Sequence, residues 1–300
     1  MDGLVCVDKP AGWTSHDVVA RLRTVLGTSR TGHAGTLDPD ATGVLLVAVG
    51  RATRLFPFLS KQDKVYRGTI RLGFATDTYD ASGRPTTEEV KEMPGREDVA
   101  AVLEAHQGRQ MQTPPAFSAK KIHGRPAHRL ARADREVVLA PVEITVHAFR
   151  LLGYRPPRLE FEVACTSGTY IRTLAHDLGR ALGCGGHLER LVRTAVGPYR
   201  LEECRTLERI EESVSAGRVG EVLIPLESLL PEFPRFRLTA ELAARARHGR
   251  AIPWPADMAE NAAADLPVRL FDETERLVAL ARIDRSVSRL RPFLVIPAGD

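Results

Sequence analysis

The apolar positions change period several times along the chain, and each change predicts an element. GLVCVDK is a short apolar run that ends in a Pro-Ala-Gly turn, the pattern of a strand. In SHDVVARLRTVLG, Val18, Val19, Leu22, Val25 and Leu26 recur at helical spacing, with Ser15 placed to cap and Gly27 to stop the helix. Val44–Gly50 is an unbroken apolar run, short enough for a buried strand. KVYRGTIRLGF alternates: Tyr66, Ile70, Leu72 and Phe74 share one face, Arg67 and Arg71 the other. By this pattern alone Tyr66 is a core tyrosine. Val99, Val102 and Leu103 mark a helix in REDVAAVLEAHQG. Further on, Leu159, Phe161 and Val163 alternate as a strand, and then Ile171, Leu174, Leu178 and Leu182 recur as a helix. Arg172 falls in the first turn of that helix, off the apolar stripe, where a cation opposes the positive end of the helix dipole. An anionic partner would offset that cost, and Asp38 is a candidate.

Two stretches break these periods. Around residues 108–135, Pro114 and Pro115 interrupt regular structure, and the segment reads as a long excursion of the functional kind. After Leu230, PEFPRF is broken by prolines as an interdomain link would be. A helix ended by Gly249 and two or three short strands follow it. The pattern predicts an α+β fold. Residues 1–230 form a mixed sheet with helices and an insertion, and residues 234–300 form a small, mostly-β module.

Composition narrows the class. In a chain of 300 residues, 43% hydrophobic and 27% charged content is ordinary for a globular protein. No apolar run approaches the roughly 20 residues that span a bilayer, and no signal-peptide pattern opens the chain, so the expected location is the cytoplasm. Cys6, Cys165, Cys184 and Cys204 form no C-x-x-C pair. Cys184 and His187 are too few for a zinc site, and no metal is expected. The net charge of +4 is modest, but it is unevenly placed. Arg109, Lys120, Lys121, Arg125, Arg129, Arg132 and Arg135 lie in the excursion with His123 and His128, against the single acid Asp134. One-sided charge in a loop-rich segment points to nucleic acid.

The candidate chemistry sits in TGHAGTLDPDATGVL, where Asp38 and Asp40 flank Pro39. Pro39 fixes its own φ and presses Asp38 toward an extended conformation. Gly35 and Gly43 are expected to let a large ligand approach the backbone. An aspartate on a stiff turn beside an arginine, ionised at neutral pH, suits nucleophilic catalysis. The run from Asp38 to Thr42 also fits the D-x-D-x-T pattern of magnesium-dependent haloacid-dehalogenase-like phosphatases. In those enzymes the first aspartate ends an apolar strand, and GHAGTL is a poor strand.

Taken together, six ordered motifs over residues 5–199 resemble the TruB-type tRNA pseudouridine synthases. They are VDKPAGWTSHDVV, GHAGTLDPDATGVLLVAVG, KVYRGTIRLGFATDTYDASG, QTPPAFSAKKIHGRPAHRLAR, CTSGTYIRTLAHDLG and GCGGHLERLVRTAVGPY. The resemblance implies isomerisation of uridine-55 in the tRNA T-loop to pseudouridine by a monomer without metal or cofactor. It assigns Asp38 as the nucleophile, Tyr66 as the ring packed on the target base and the general base, and Arg172 as the ion-pair partner of Asp38. It further assigns His33 to the flipped loop conformation, Leu191 to the uracil pocket wall, and Tyr170 and Lys9 to supporting positions. Lys120, Lys121 and Arg125 fall in a tRNA-binding thumb, and the C-terminal part takes the place of a PUA-like RNA-binding module. Extrusion of a stacked uridine costs a few kcal/mol, which phosphate contacts from a basic thumb can offset. His128 stands where the thumb motif usually has tyrosine, and Asp40 is read as a turn residue. Two alternatives stay open: a non-catalytic tRNA-binding or tRNA-folding protein on the same scaffold, and the magnesium-dependent phosphatase.

Overall fold

The computed structural model describes residues 1–117, 121–122, 125–126, 139–254 and 266–298. Helices are α1 (Ser15–Leu26), α2 (Phe56–Leu59), α3 (Arg96–Ala105), α4 (Ile171–Ala181), α5 (Leu207–Ser215) and α6 (Ala240–Arg247). The larger sheet is built from β1 (Gly3–Lys9), β2 (Thr31–His33), β3 (Thr42–Val49), β4 (Lys64–Leu72) and β5 (Gly108–Gln112). After the two-stranded ribbon β6 (Lys121–Ile122) and β7 (Arg125–Pro126), it continues with β8 (Val142–Arg155), β9 (Arg158–Cys165), β10 (Gly186–Val196), β11 (Tyr199–Arg200) and β12 (Ile224–Pro225). Its spatial order is β12-β1-β3-β10-β4-β9-β8-β5, with β2 on β3 and β11 on β10. Neighbours are antiparallel except β3 and β10, which run parallel at Val192 opposite Thr42 and Arg193 opposite Gly43.

β1 and β3 are apolar at successive positions because both of their faces are covered. Val5, Val7, Leu45, Val47 and Val49 pack under α1 and α5, against Val18, Leu22, Leu207 and Ile210. The alternate residues Leu4, Cys6, Val44, Leu46 and Ala48 face Leu55, Leu59, Phe233, Phe271, Leu280 and Ile296. The other half of the sheet packs Tyr66, Ile70, Leu72, Leu159, Phe161 and Val163 against Val99 and Leu103 of α3 and Ile171, Leu174 and Leu178 of α4. Tyr66, Ile70 and Leu72 share the buried face of β4 as read from the sequence, whereas Phe74 lies beyond the end of the strand and packs on His187.

Thr14, not Ser15, caps α1: its hydroxyl accepts from the Asp17 N–H, and the Asp17 carboxylate accepts from the Thr14 N–H at 2.9 Å. Ser15 is thereby free to turn inward to Leu37. Gly27 ends the helix in the left-handed conformation, as expected.

A second sheet, β13-β15-β16-β17-β14, uses β13 (Arg235–Arg237), β14 (Ile252–Pro253), β15 (Val268–Phe271), β16 (Leu277–Asp284) and β17 (Arg289–Val295). β13 falls inside and just after the proline-broken link, so the connection between the sheets is short. Phe58 stands edge-on to Phe233 at 5.5 Å, while Arg51 and Arg54 donate to the carbonyls of Pro297 and Val295, both at 2.8 Å. No helix among the described residues is long and apolar enough to cross a membrane.

Candidate active site

Residues 34–41 connect β2 to β3, and this loop carries Asp38. Three side chains from distant elements hold its backbone. Arg193 on β10, 1% exposed, donates from Nε to the Val44 carbonyl (2.7 Å), from Nη1 to Thr36 (3.3 Å) and from Nη2 to Gly35 (3.1 Å). Lys9 at the end of β1 is fully buried, and its Nζ donates to the carbonyls of Pro10 (2.9 Å), Trp13 (2.6 Å) and Pro39 (2.9 Å). Burial pushes the Lys9 ammonium down to about 8, against the pull of Asp40 and Asp38. The Ser15 hydroxyl donates to the Leu37 carbonyl at 3.0 Å and accepts from the Leu37 N–H at 2.8 Å. Charge-assisted bonds such as those of Arg193 and Lys9 are worth about 1.5–3 kcal/mol each, and they explain why a loop with so few side chains is rigid. Gly43 serves this packing rather than a ligand. Its φ is +97°, and a Cβ there would sit 2.3 Å from the Arg193 carbonyl oxygen. The expectation that both glycines face a ligand holds only for Gly35, which lines the pocket described below.

Asp38 meets Arg172, from the first turn of α4, at 3.0 Å between Oδ2 and Nε. The Arg172 side chain is 8% exposed, and both of its terminal nitrogens are hydrogen-bonded twice while Nε makes the ion-pair contact. Beyond Nε, Nη2 lies 3.5 Å from Asp38 Oδ1 and 2.9 Å from the Phe117 carbonyl. Nη1 reaches the Thr78 carbonyl (3.2 Å) and Asp80 Oδ2 (3.4 Å). Asp80 is itself oriented, since its Oδ1 accepts from the Thr78 hydroxyl and from the backbone and hydroxyl of Ser82. The anionic partners that offset the unfavourable helix position of Arg172 are therefore two carboxylates.

Asp38 keeps 45% of its side-chain surface open to the pocket, with protein packed round the rest. This desolvation pushes its pKa above the ordinary aspartate value against the pull of Arg172, and the charges of Asp80 and Asp40 add to the push.

The pocket in front of this pair measures about 270 Å³. Tyr66, Tyr170, Leu191 and Arg193 are among its walls, and Lys64 and Ser60 lie toward its far side. Burial raises the pKa of the Tyr66 phenol, and the nearby Arg193 guanidinium draws it back. Lys64 donates to the carbonyls of Ser60 (3.0 Å) and Gln62 (2.6 Å), and burial pushes it down to about 8. A second cavity of about 330 Å³, between Asp8, Lys9, Thr42, Val192 and Glu208, contains neither member of the carboxylate–arginine pair.

Five of the residues singled out in the sequence thus meet at one pocket: Asp38, Tyr66, Tyr170, Arg172 and Leu191. Lys9 and His33 do not line it. Lys9 braces the loop from behind. His33 ends β2 with a buried Nδ1 that has no hydrogen-bond partner, and burial lowers its pKa. Lys120 and His128 lie outside the described residues; Lys121 and Arg125 fall on the ribbon β6–β7. Sequence reasoning passed over Arg193, Asp80 and Lys64. The signal for Arg193 was a cation inside a strand with apolar stretches on both sides; Lys64 opens its strand beside Asp63 and gave no such signal. Asp38 follows a three-residue strand and a bend, not a strongly apolar strand, so the phosphatase reading lacks its structural requirement. The arrangement can present an aimed carboxylate to a flat, partly apolar group held against an aromatic ring.

The chain matches the model of the TruB family pseudouridylate synthase N-terminal domain over residues 23–171, and that of the tRNA pseudouridylate synthase B C-terminal domain over residues 172–231. The tRNA pseudouridine synthase B of Solibacter usitatus is 41% identical over 283 residues, 94% of this chain and 96% of its own length. That of Thermobifida fusca is 45% identical over 289 residues, 93% of this chain and 94% of its own. The fold is shared, at a TM-score of 0.74 and 23% identity, with a chain from a solved H/ACA RNP bound to a substrate RNA containing 2'-deoxyuridine, over 99% of this chain and 86% of that one. With two family models meeting end to end at the helix that carries Arg172, and such identity along nearly the whole length, the chain belongs to the TruB family of pseudouridylate synthases.

Proposed function

We propose that the chain converts uridine-55 in the T-loop of tRNA to pseudouridine, with Asp38 as the nucleophile. The observation that carries this reading is the Asp38–Arg172 pair at 3.0 Å, open to a pocket walled by Tyr66 and Leu191. The uridine leaves its stack and enters the pocket, where the base packs on Tyr66 and Leu191. The Asp38 carboxylate forms a covalent intermediate with the nucleotide, and Arg172 keeps that carboxylate charged and aimed. The N1–C1′ bond breaks, the uracil turns, C1′ bonds to C5, the bond from Asp38 to the nucleotide breaks to return the carboxylate, and the C5 proton departs as N1 gains one. The Tyr66 phenol gives its proton to N1 as the glycosidic bond breaks, and the resulting phenolate, stabilised by Arg193, takes the C5 proton. The exchange needs no metal or redox partner.

Lys120, Lys121 and Arg125 contact phosphates from the thumb, and the C-terminal sheet adds further RNA contacts in the manner of a PUA module. The chain works as a monomer in the cytoplasm, with residues 1–230 as the catalytic unit. A protein that only bound or folded tRNA would have no use for a carboxylate whose arginine partner is held by four hydrogen bonds and an ion pair.

The test is a T-arm stem-loop tritiated at uridine C5 and incubated with protein in excess EDTA. Tritium should enter water at close to the rate without EDTA. Loss of release in EDTA with recovery on added magnesium would overturn the metal-free reading.

A further inference from the structure

Gln112 is the last residue of β5, 2% exposed, and it does not line the pocket. Its side-chain amide treats Tyr170 as a neighbouring strand would. Oε1 accepts from the Tyr170 N–H at 2.8 Å, and Nε2 donates to the Tyr170 carbonyl at 3.0 Å. One acceptor and one donor can satisfy these two partners in one orientation only. Tyr170 is the N-cap of α4, and that helix has no side-chain cap of its own. The chain leaving β5 stays on the same helix end: the Thr113 carbonyl lies 3.5 Å from the Thr173 hydroxyl, and the Phe117 carbonyl takes the Nη2 bond of Arg172.

We infer that Gln112 is a positioning residue that fixes the first turn of α4 and so aims the Arg172 guanidinium at Asp38. Arg172 has little slack, because its two terminal nitrogens already make four hydrogen bonds beside the ion pair to Asp38. A hydrogen bond stretched beyond about 3.5 Å is no longer one, and a displacement of about 1 Å at a reacting group can cost about 100-fold in rate. Without Gln112 the start of the helix loses its link to β5, and the aim of the carboxylate loosens while Tyr66, Leu191 and Arg193, on other elements, keep their places in the pocket. The inference therefore concerns turnover and not tRNA affinity, and it rests on the catalytic reading of Asp38 and Arg172.

The experiment compares wild type, Gln112→Met, Gln112→Glu, Arg172→Met and Gln112→Met/Arg172→Met by single-turnover C5 tritium release on full-length tRNA. Gln112→Met keeps the length and loses both bonds; Gln112→Glu keeps the shape and acceptor and loses the donor. Both should lower the rate at saturating tRNA by about 10–100-fold, with tRNA Kd within about three-fold of wild type. In the Arg172→Met background the same change should have little further effect. The inference is overturned by an unchanged saturating rate, by a loss carried by Kd alone, by full multiplication of the two defects in the double variant, or by failure of both Gln112 variants to fold. A wild-type protein that releases no tritium would instead overturn the functional reading, which separates the two failures.

Discussion

Replacing Arg172 by Met removes a cation of similar length and leaves the pocket walls in place. Of its five polar contacts, those to Asp38 matter for chemistry: an ion pair at 3.0 Å and a hydrogen bond, at the edge of hydrogen-bonding distance, at 3.5 Å. A hydrogen bond to a charged group contributes about 1.5–3 kcal/mol. Counting the short bond fully and the long one at a fraction gives about 2–4 kcal/mol, a turnover loss of about 30–1,000-fold. Stability should fall too, by less than the 3–5 kcal/mol of breaking a fully buried pair, because Asp38 and Asp80 keep 45% and 23% of their side-chain surface in contact with solvent. Single-turnover C5 tritium release at saturating protein reads the rate, and filter binding reads the affinity for tRNA. The account expects a rate defect with tRNA Kd within about three-fold of wild type. An activity that recovers fully at saturating tRNA would show that Arg172 holds a phosphate, and the ion-pair argument would fall.

Gly43→Ala should destabilise the fold by about 3 kcal/mol or more, since it joins a left-handed backbone to a Cβ 2.3 Å from the Arg193 carbonyl oxygen; a chemical denaturation midpoint equal to that of wild type would contradict the packing described. Turnover should fall on the acid side at a pH above that of an ordinary aspartate, because Asp38 must be ionised and burial raises its pKa. Asp80→Asn removes a charge that adds to this rise, so the acid limb of the rate profile should move to lower pH, and a shift to higher pH would refute the assigned sign. Changing Lys120, Lys121 and Arg125 together to Ala should weaken tRNA binding and lower its log–log salt slope by about 0.7–0.9 for each phosphate that is no longer neutralised. An unchanged slope would place the RNA elsewhere.

Local pattern carried much of the fold. The alternation in KVYRGTIRLGF put Tyr66 on the inward face, and the switch of period near residue 166 marked the end of β9 and the start of α4. The pairing of Asp38 with Arg172 was legible across 134 residues because a cation in a first helical turn asks for an anion. The roles of Arg193 and Lys9 on the Asp38 loop stayed hidden because the partners there lie far off in sequence and are backbone carbonyls, which no pattern of side chains reveals. Arg193 braces Gly35 and Thr36 and looked like an ordinary strand cation; Lys9 was singled out, but its bracing of Pro39 was not legible. The cap of α1 was misplaced for a local reason. Thr14 and Ser15 are both good caps, and only Asp17, three residues after Thr14, distinguishes them.

The most direct measurement maps pseudouridine in an unmodified tRNA transcript after incubation with wild type and with Asp38→Asn at equal tRNA occupancy. Asn keeps the size of the side chain and cannot form the carboxylate bond to the nucleotide. The account predicts pseudouridine at position 55 with the wild type, none with Asp38→Asn, and tRNA binding by the variant within a few-fold. Substantial pseudouridine formed by Asp38→Asn at position 55 would contradict the assignment of Asp38, and with it the mechanism.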